Sequence, residues 1–279
     1  MSVRKAYQTL IMTIILMMTT IILYALNVSK IGLRWGMIGF VITTIFSIFS
    51  TVFSIHQSKH QAMISDKTFF EKYRFEILDW FSFLSVSMMA LFTLFMFFIL
   101  PSDVKHSSMN PTLEENERIL IYHFQYQPER YDVVIVKITP ESYPLVPESM
   151  YYERDKNGNV IGSLDEIFFI KRLYALPGDE ITFVSVNSTT YDYYIEINGE
   201  MIIAPTNEPY YIRESQKEIM ELSLENGILK EGLYFAFGDN ANGYQGQPAS
   251  YDARNFGAIY EKDLVGKAIY KIWPIGGID

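Results

Sequence analysis

The chain has no cysteine among its 279 residues and only four histidines. The absence of thiols excludes disulfides, thiolate metal sites and a cysteine nucleophile. His56 and His60 sit between long apolar stretches, so a zinc site or a serine, histidine and aspartate triad in the rest of the chain would have to be built from His106 and His123 alone. That disfavours metal-dependent hydrolysis and predicts a protein without a metal or other cofactor. Positive charge is also short. The formal net charge of −9 gives no electrostatic reason to expect a nucleic-acid partner.

The deficit is uneven. Residues 1–100 carry 8 Lys and Arg against 4 Asp and Glu, a balance of +4, which leaves −13 for residues 101–279. Three windows of 21 residues, Ala6 to Leu26, Trp35 to Ile55 and Trp80 to Leu100, contain no charged side chain. At about 1.5 Å per residue each would span roughly 31 Å, close to the apolar thickness of a bilayer. The expectation is a membrane anchor over residues 1–100, with helices near 6–26, 35–55 and 80–100, and a separate domain over 101–279. A cleaved secretory leader is the competing reading of the first window. Its apolar run exceeds the usual length of about 7–15 residues, and no small-x-small cleavage site follows it.

Basic residues set the expected orientation. Lys30 and Arg34 lie in the first connection, whereas Arg4 and Lys5 precede the first window and Lys59, Lys67, Lys72 and Arg74 follow the second. The positive-inside rule then places the amino terminus in the cytoplasm and, after three crossings, residues 101–279 outside. The expected location is a cell membrane, as a multi-pass protein embedded in the lipid bilayer.

From Arg118 onward the pattern becomes one of short runs rich in Ile, Val, Phe and Tyr: 118–124, 132–138, 167–176, 180–186, 191–197, 200–204, 233–237 and 264–272. Asn198-Gly199 between two such runs predicts a tight hairpin. Eight short strands predict an all-β sandwich or partly closed barrel. Two stretches interrupt them. Thr139 to Asp165, with three prolines, reads as a long excursion, and Ser215 to Leu229 as a short helix.

Four segments carry chemistry in this pattern: Ser108-Met109-Asn110-Pro111-Thr112-Leu113, the run Phe169 to Asp179 containing Lys171-Arg172 and Leu176-Pro177-Gly178-Asp179, then Gly238-Asp239-Asn240, and Ser250-Tyr251-Asp252-Ala253-Arg254. In this order, directly after an apolar window, they resemble the bacterial type I signal peptidase family, membrane-bound serine proteases that remove signal peptides from exported proteins. The resemblance covers about two thirds of the chain. It implies Ser108 as nucleophile, Lys171 as general base and Ser250 as the residue orienting the lysine, with Asp239, Asp252 and Arg254 shaping the site through an ion pair. A working lysine base needs an amine kept neutral near pH 7, and Phe168, Phe169, Ile170, Leu173 and Leu176 supply apolar surroundings that favour the neutral form.

The resemblance also implies cleavage of secretory preproteins after small residues in an Ala-x-Ala pattern, with Val104, Met109, Leu113, Phe168 and Ile170 lining shallow pockets. The sequence departs from the family at three places. His106 stands where serine or glycine is usual and is the candidate second oxyanion donor beside the Ser108 N–H. Ala241 replaces a common arginine, and the interval from Gly238 to Ser250 is lengthened. Two alternatives share the resemblance: a non-cleaving accessory in surface-structure (pilus) assembly, and a processor dedicated to one precursor.

Overall fold

The structure is a computed structural model that describes residues 3–29, 34–60 and 69–278. It divides into two compact units, Met1–Leu100 and Pro101–Asp279.

The first unit is helical: α1 (Val3–Ala25), α2 (Arg34–His60) and α3 (Phe69–Phe97). Among the described residues, three segments of these helices are long and apolar enough to cross a membrane: Arg4–Ala25, Trp35–His56 and Ile77–Phe97. The third helix starts and ends earlier than its uncharged window. Ile99 and Leu100 already belong to a strand, because Pro101 disfavours helical geometry at the residue before it. Lys30 and Lys67, two of the basic residues behind the expected orientation, lie outside the described residues.

Leu, Ile and Phe side chains cover the outer faces of this unit, and its interior is polar by comparison. Thr13 meets Ser47 at 2.7 Å, Thr20 meets Thr93 at 2.9 Å and Ser50 meets Ser82 at 3.0 Å, all buried between helices. Small hydroxyl side chains allow close helix approach and bond across it, which is how helices associate where lipid supplies no hydrophobic drive. Gly36 and Gly39 extend the same logic, since a Cβ at either would run into Met96 or Phe92.

The second unit is largely β. Its strands are β1 (Ile99–Asp103), β2 (Arg118–Tyr122), β3 (Val133–Ile138), β4 (Tyr152–Arg154), β5 (Val160–Ser163), β6 (Ile167–Ala175), β7 (Ile181–Ser185), β8 (Tyr193–Ile197), β9 (Glu200–Met201) and β10 (Tyr211–Ile212). After α4 (Glu214–Glu221) come β11 (Leu224–Glu225), β12 (Ile228–Leu229) and β13 (Leu233–Phe237), then α5 (Ala253–Phe256), β14 (Ile259–Tyr260) and β15 (Leu264–Trp273). The larger sheet is open, in the order β1-β2-β15-β3-β6-β13-β14, and a smaller one runs β10-β8-β7 with β9 on β8. Among the described residues no closed barrel forms.

Both faces of the larger sheet are covered. One core holds Val134, Val136, Leu173, Ala236 and Phe256; the other holds Tyr174, Ala175, Phe235 and Phe237 with Ile195 and Tyr210 of the smaller sheet region. Alternation along β6 and β13 divides these residues between the faces. This explains the unbroken apolar run Val133-Val134-Ile135-Val136, since a strand packed on both sides has no solvent face. Asn198 and Gly199, both at positive φ, turn β8 into β9 as predicted.

Two expectations need correction in detail. The 215–229 stretch is helical only in its first half, because Asn226 and Gly227, also at positive φ, fold the remainder into the β11–β12 hairpin. The 139–165 excursion contains a hairpin of its own, β4 paired with β5.

Candidate active site

The loop between β1 and β2 carries Ser108. It is closed at its base by the Val104 N–H on the Glu117 carbonyl at 2.8 Å and the Asn116 N–H on the Val104 carbonyl at 2.9 Å. Inside it, the Asn110 N–H reaches the Ser107 carbonyl at 3.1 Å and the Leu113 N–H reaches Met109 at 2.9 Å, making successive turns. Val104, Met109 and Leu113 are buried and anchor the loop.

Lys171 comes from the middle of β6, opposite Val134 on β3. Its Nζ lies 2.9 Å from Ser108 Oγ and 5.3 Å from the centre of the Phe169 ring. Only 2% of the residue is exposed. Burial lowers the ammonium pKa to about 8; the Asp252 and Asp239 carboxylates work in the opposite direction and the Arg254 cation works with burial. A neutral amine at hydrogen-bond distance from a hydroxyl can accept its proton.

The carboxylates near this lysine are already engaged. Asp252 takes Arg254 Nε on one oxygen and Nη2 on the other, both at 2.9 Å, and accepts the Gly238 N–H at 3.0 Å. Burial acts to raise the Asp252 carboxyl, but Arg254 and the Gly238 N–H outweigh it and hold the group below its ordinary value. Asp239 pairs instead with Arg172, at 3.0 Å to Nε and 2.8 Å to Nη2. Arg172 also donates to the Tyr131 carbonyl and to Thr112 Oγ1. Two buried guanidinium–carboxylate pairs therefore flank the lysine, each binding through two parallel contacts.

Ser250 does not hydrogen-bond Lys171 in this structure. Its Oγ is buried without a hydrogen-bond partner among the described residues, packed against Gly238. A Cβ on Gly238 would overlap both Ser250 Oγ and the Ser108 carbonyl oxygen, which explains why this position takes glycine. His106 is exposed, has φ 68° and makes no side-chain hydrogen bond among the described residues. Phe168 is exposed and Ile170 half-buried; by alternation they leave β6 on the face opposite Lys171.

Three contributors were not singled out from the sequence: Arg172 as the partner of Asp239, Gly238 as the close-approach residue, and Asn240, whose side chain holds the serine loop. The Gly238-Asp239-Asn240 run was visible, but its partners lie 67 and 133 residues away in the chain, and no local spacing reports such pairings. Among the described residues no cluster of His, Asp and Glu suited to a metal ion is present.

Comparison with known proteins finds a matching family. The family model for signal peptidase, peptidase S26, matches residues 77–273. Signal peptidase IB of Staphylococcus aureus (strain COL) is 26% identical over 215 residues, covering 71% of this chain and 91% of that protein. A probable thylakoidal processing peptidase 2, chloroplastic, of Arabidopsis thaliana is 25% identical over 178 residues, covering 62% of this chain and 38% of that protein.

Proposed function

The chain belongs to the peptidase S26 family of signal peptidases, membrane-associated hydrolases that act on secretory preproteins, and from that premise we propose that it cleaves by a Ser108 nucleophile and a Lys171 general base. The observation that carries the reading is the 2.9 Å contact between Ser108 Oγ and a buried lysine whose pKa is lowered to about 8.

In this mechanism Lys171 Nζ takes the Ser108 hydroxyl proton as Oγ bonds to the scissile carbonyl carbon. The carbonyl oxygen becomes an oxyanion facing the Ser108 N–H. The lysine ammonium then gives its proton to the leaving amine as the C–N bond breaks, which leaves an acyl-enzyme. Water, deprotonated by the same amine, bonds to the acyl carbon, and the ammonium returns that proton to Ser108 Oγ as the ester C–O bond breaks and the acid leaves. The flanking carboxylates stay out of this proton transfer because each is held by a guanidinium. A bare carboxylate beside Lys171 would stabilise the ammonium and remove the base.

Specificity follows the Ala-x-Ala pattern in this proposal. The extended peptide adds as a strand, and small side chains enter shallow pockets from Val104, Met109, Leu113, Phe168 and Ile170. Residues 1–100 form a three-span anchor in the cell membrane with the amino terminus cytoplasmic, and residues 101–279 act outside, where translocated signal peptides end.

The test is cleavage of an Ala-x-Ala preprotein by purified protein in detergent. The parent cleaves, and Ser108→Ala and Lys171→Met do not. Retained cleavage by Ser108→Ala would overturn the proposal, and retained cleavage by Lys171→Met would reassign the base.

A further inference from the structure

We propose that Asn240 is a positioning residue for the oxyanion site: its side-chain amide grips the Ser107 carbonyl and so aims the Ser108 N–H at the reacting oxygen. The proposal rests on Ser108 being the nucleophile and extends that reading to a residue with no direct part in proton transfer.

Asn240 is completely buried. Its Nδ2 donates to the Ser107 carbonyl at 3.2 Å and to the Pro248 carbonyl at 3.1 Å, and its backbone N–H donates to the Ser108 carbonyl at 3.1 Å. Both amide hydrogens point at carbonyl oxygens, while Oδ1 has no partner among the described residues. The flipped orientation would set Oδ1 against those two acceptors, so the network fixes which way the amide points.

The consequence lies in one peptide plane. The Ser107 carbonyl and the Ser108 N–H belong to the same trans peptide, whose two polar bonds point in opposite directions. The Asn110 N–H reaches the same carbonyl at 3.1 Å, so the Asn240 amide is the second of two donors that hold this plane and set the direction of the N–H. The Asn240 backbone bond to the Ser108 carbonyl fixes the next plane, so the nucleophile is clamped on both sides of its Cα. The Ser108 N–H itself has no acceptor among the described residues, as a donor reserved for a transient anion should have. A hydrogen bond on the carbonyl also polarises the amide and strengthens its N–H as a donor.

A second route reaches the same plane. The lengthened loop between Asn240 and Ser250 returns to Asn240 through Pro248, and Ser107 Oγ lies 3.5 Å from Gln247 Oε1. The insertion is thereby tied to the clamp, and Asn240 is the common point.

Asn240→Ala keeps the backbone bond and removes the amide. Because a mis-aimed oxyanion donor acts on the transition state alone, kcat should fall about 10- to 100-fold while KM stays within about twofold. The inhibition constant of a peptide aldehyde, whose hemiacetal oxygen needs the same donor, should rise by a similar factor. Affinity for a non-cleavable peptide should not change, and neither should the pH midpoint set by Lys171. Asn240→Ser, which leaves a smaller cavity and a shorter donor, is read in the same way if the alanine protein does not fold by thermal melting. Unchanged kcat in either folded variant overturns the proposal, as does a loss shared equally between the aldehyde and the non-cleavable peptide. Ser108→Ala is assayed alongside: activity there would remove the nucleophile assignment itself, a failure distinct from that of Asn240.

Discussion

Lys171 and Arg172 are neighbours on β6, yet they carry their charges to opposite faces, the first 2.9 Å from Ser108 Oγ and the second onto Asp239 at 2.8 Å. Strand alternation separates them. One cation is paired with a carboxylate and stays charged, and the other is placed against a hydroxyl and an aromatic ring, where burial lowers its pKa to about 8.

The pH dependence of cleavage follows from that placement. Below about 8 the lysine is protonated and cannot accept from Ser108, so kcat/KM should rise about tenfold per pH unit and level off above about 8. Initial rates on a preprotein between pH 5 and 9.5 measure this. A midpoint near the ordinary lysine value of about 10.4 would contradict a buried base.

Stability should carry the opposite mark of the same group. Between about 8 and 10.5 the unfolded chain binds a proton that the native lysine lacks, so the lysine's cost to stability is full below 8 and disappears as pH rises through that window. Lys171→Met should therefore melt higher than the parent at pH 7, by on the order of 3 kcal/mol at most, with the gap narrowing toward pH 10.5. Paired thermal melts at the two pH values test it; a gap that does not narrow argues against a depressed lysine.

Gly238→Ala should disable the site through geometry. The added methyl meets the Ser108 carbonyl and the Ser250 hydroxyl, so the nucleophile loop has to shift, and displacement by about 1 Å typically costs on the order of 100-fold in rate. Steady-state kinetics on folded protein should show the loss, whereas Gly276→Ala, with open space around its Cβ position and no positive φ, should leave kcat within about threefold.

The Arg172–Asp239 pair should be strongly coupled. Removing one partner leaves a buried charge uncompensated and should cost about 3–5 kcal/mol, while Arg172→Met with Asp239→Leu should cost much less than the two single changes added together. Thermal denaturation of the four proteins completes the cycle; additive losses would mean the two groups do not interact.

What the sequence disclosed and what it withheld divide along physical lines. The helices were legible because an absence of charge over 21 residues has few explanations, and β3, β6, β8 and β13 because β-branched and aromatic runs ended at turn residues. The third helix was misplaced at its end because hydropathy does not register Pro101, and the 215–229 helix was overextended because Asn226-Gly227 was passed over as a turn. Within the proposed site, Ser108 and Lys171 were expected from their segments, and the structure sets them 2.9 Å apart. The pairing of Asp239 with Arg172 and the grip of Asn240 on Ser107 could not, since both depend on which strands become neighbours. The orienting contact expected of Ser250 has no counterpart in a hydrogen bond to Lys171.

The loop from Ala241 to Ala249 is closed at its neck, by Ser250 N–H on the Asn240 carbonyl at 2.8 Å and by Asn240 Nδ2 on Pro248. A loop pinched in this way has already met its closure cost, and each doubling of its length adds only about 0.6 kcal/mol. Its exposed tip at Gln245 and Gly246 is thus a place where an added epitope or fluorophore tag should cost little in folding stability.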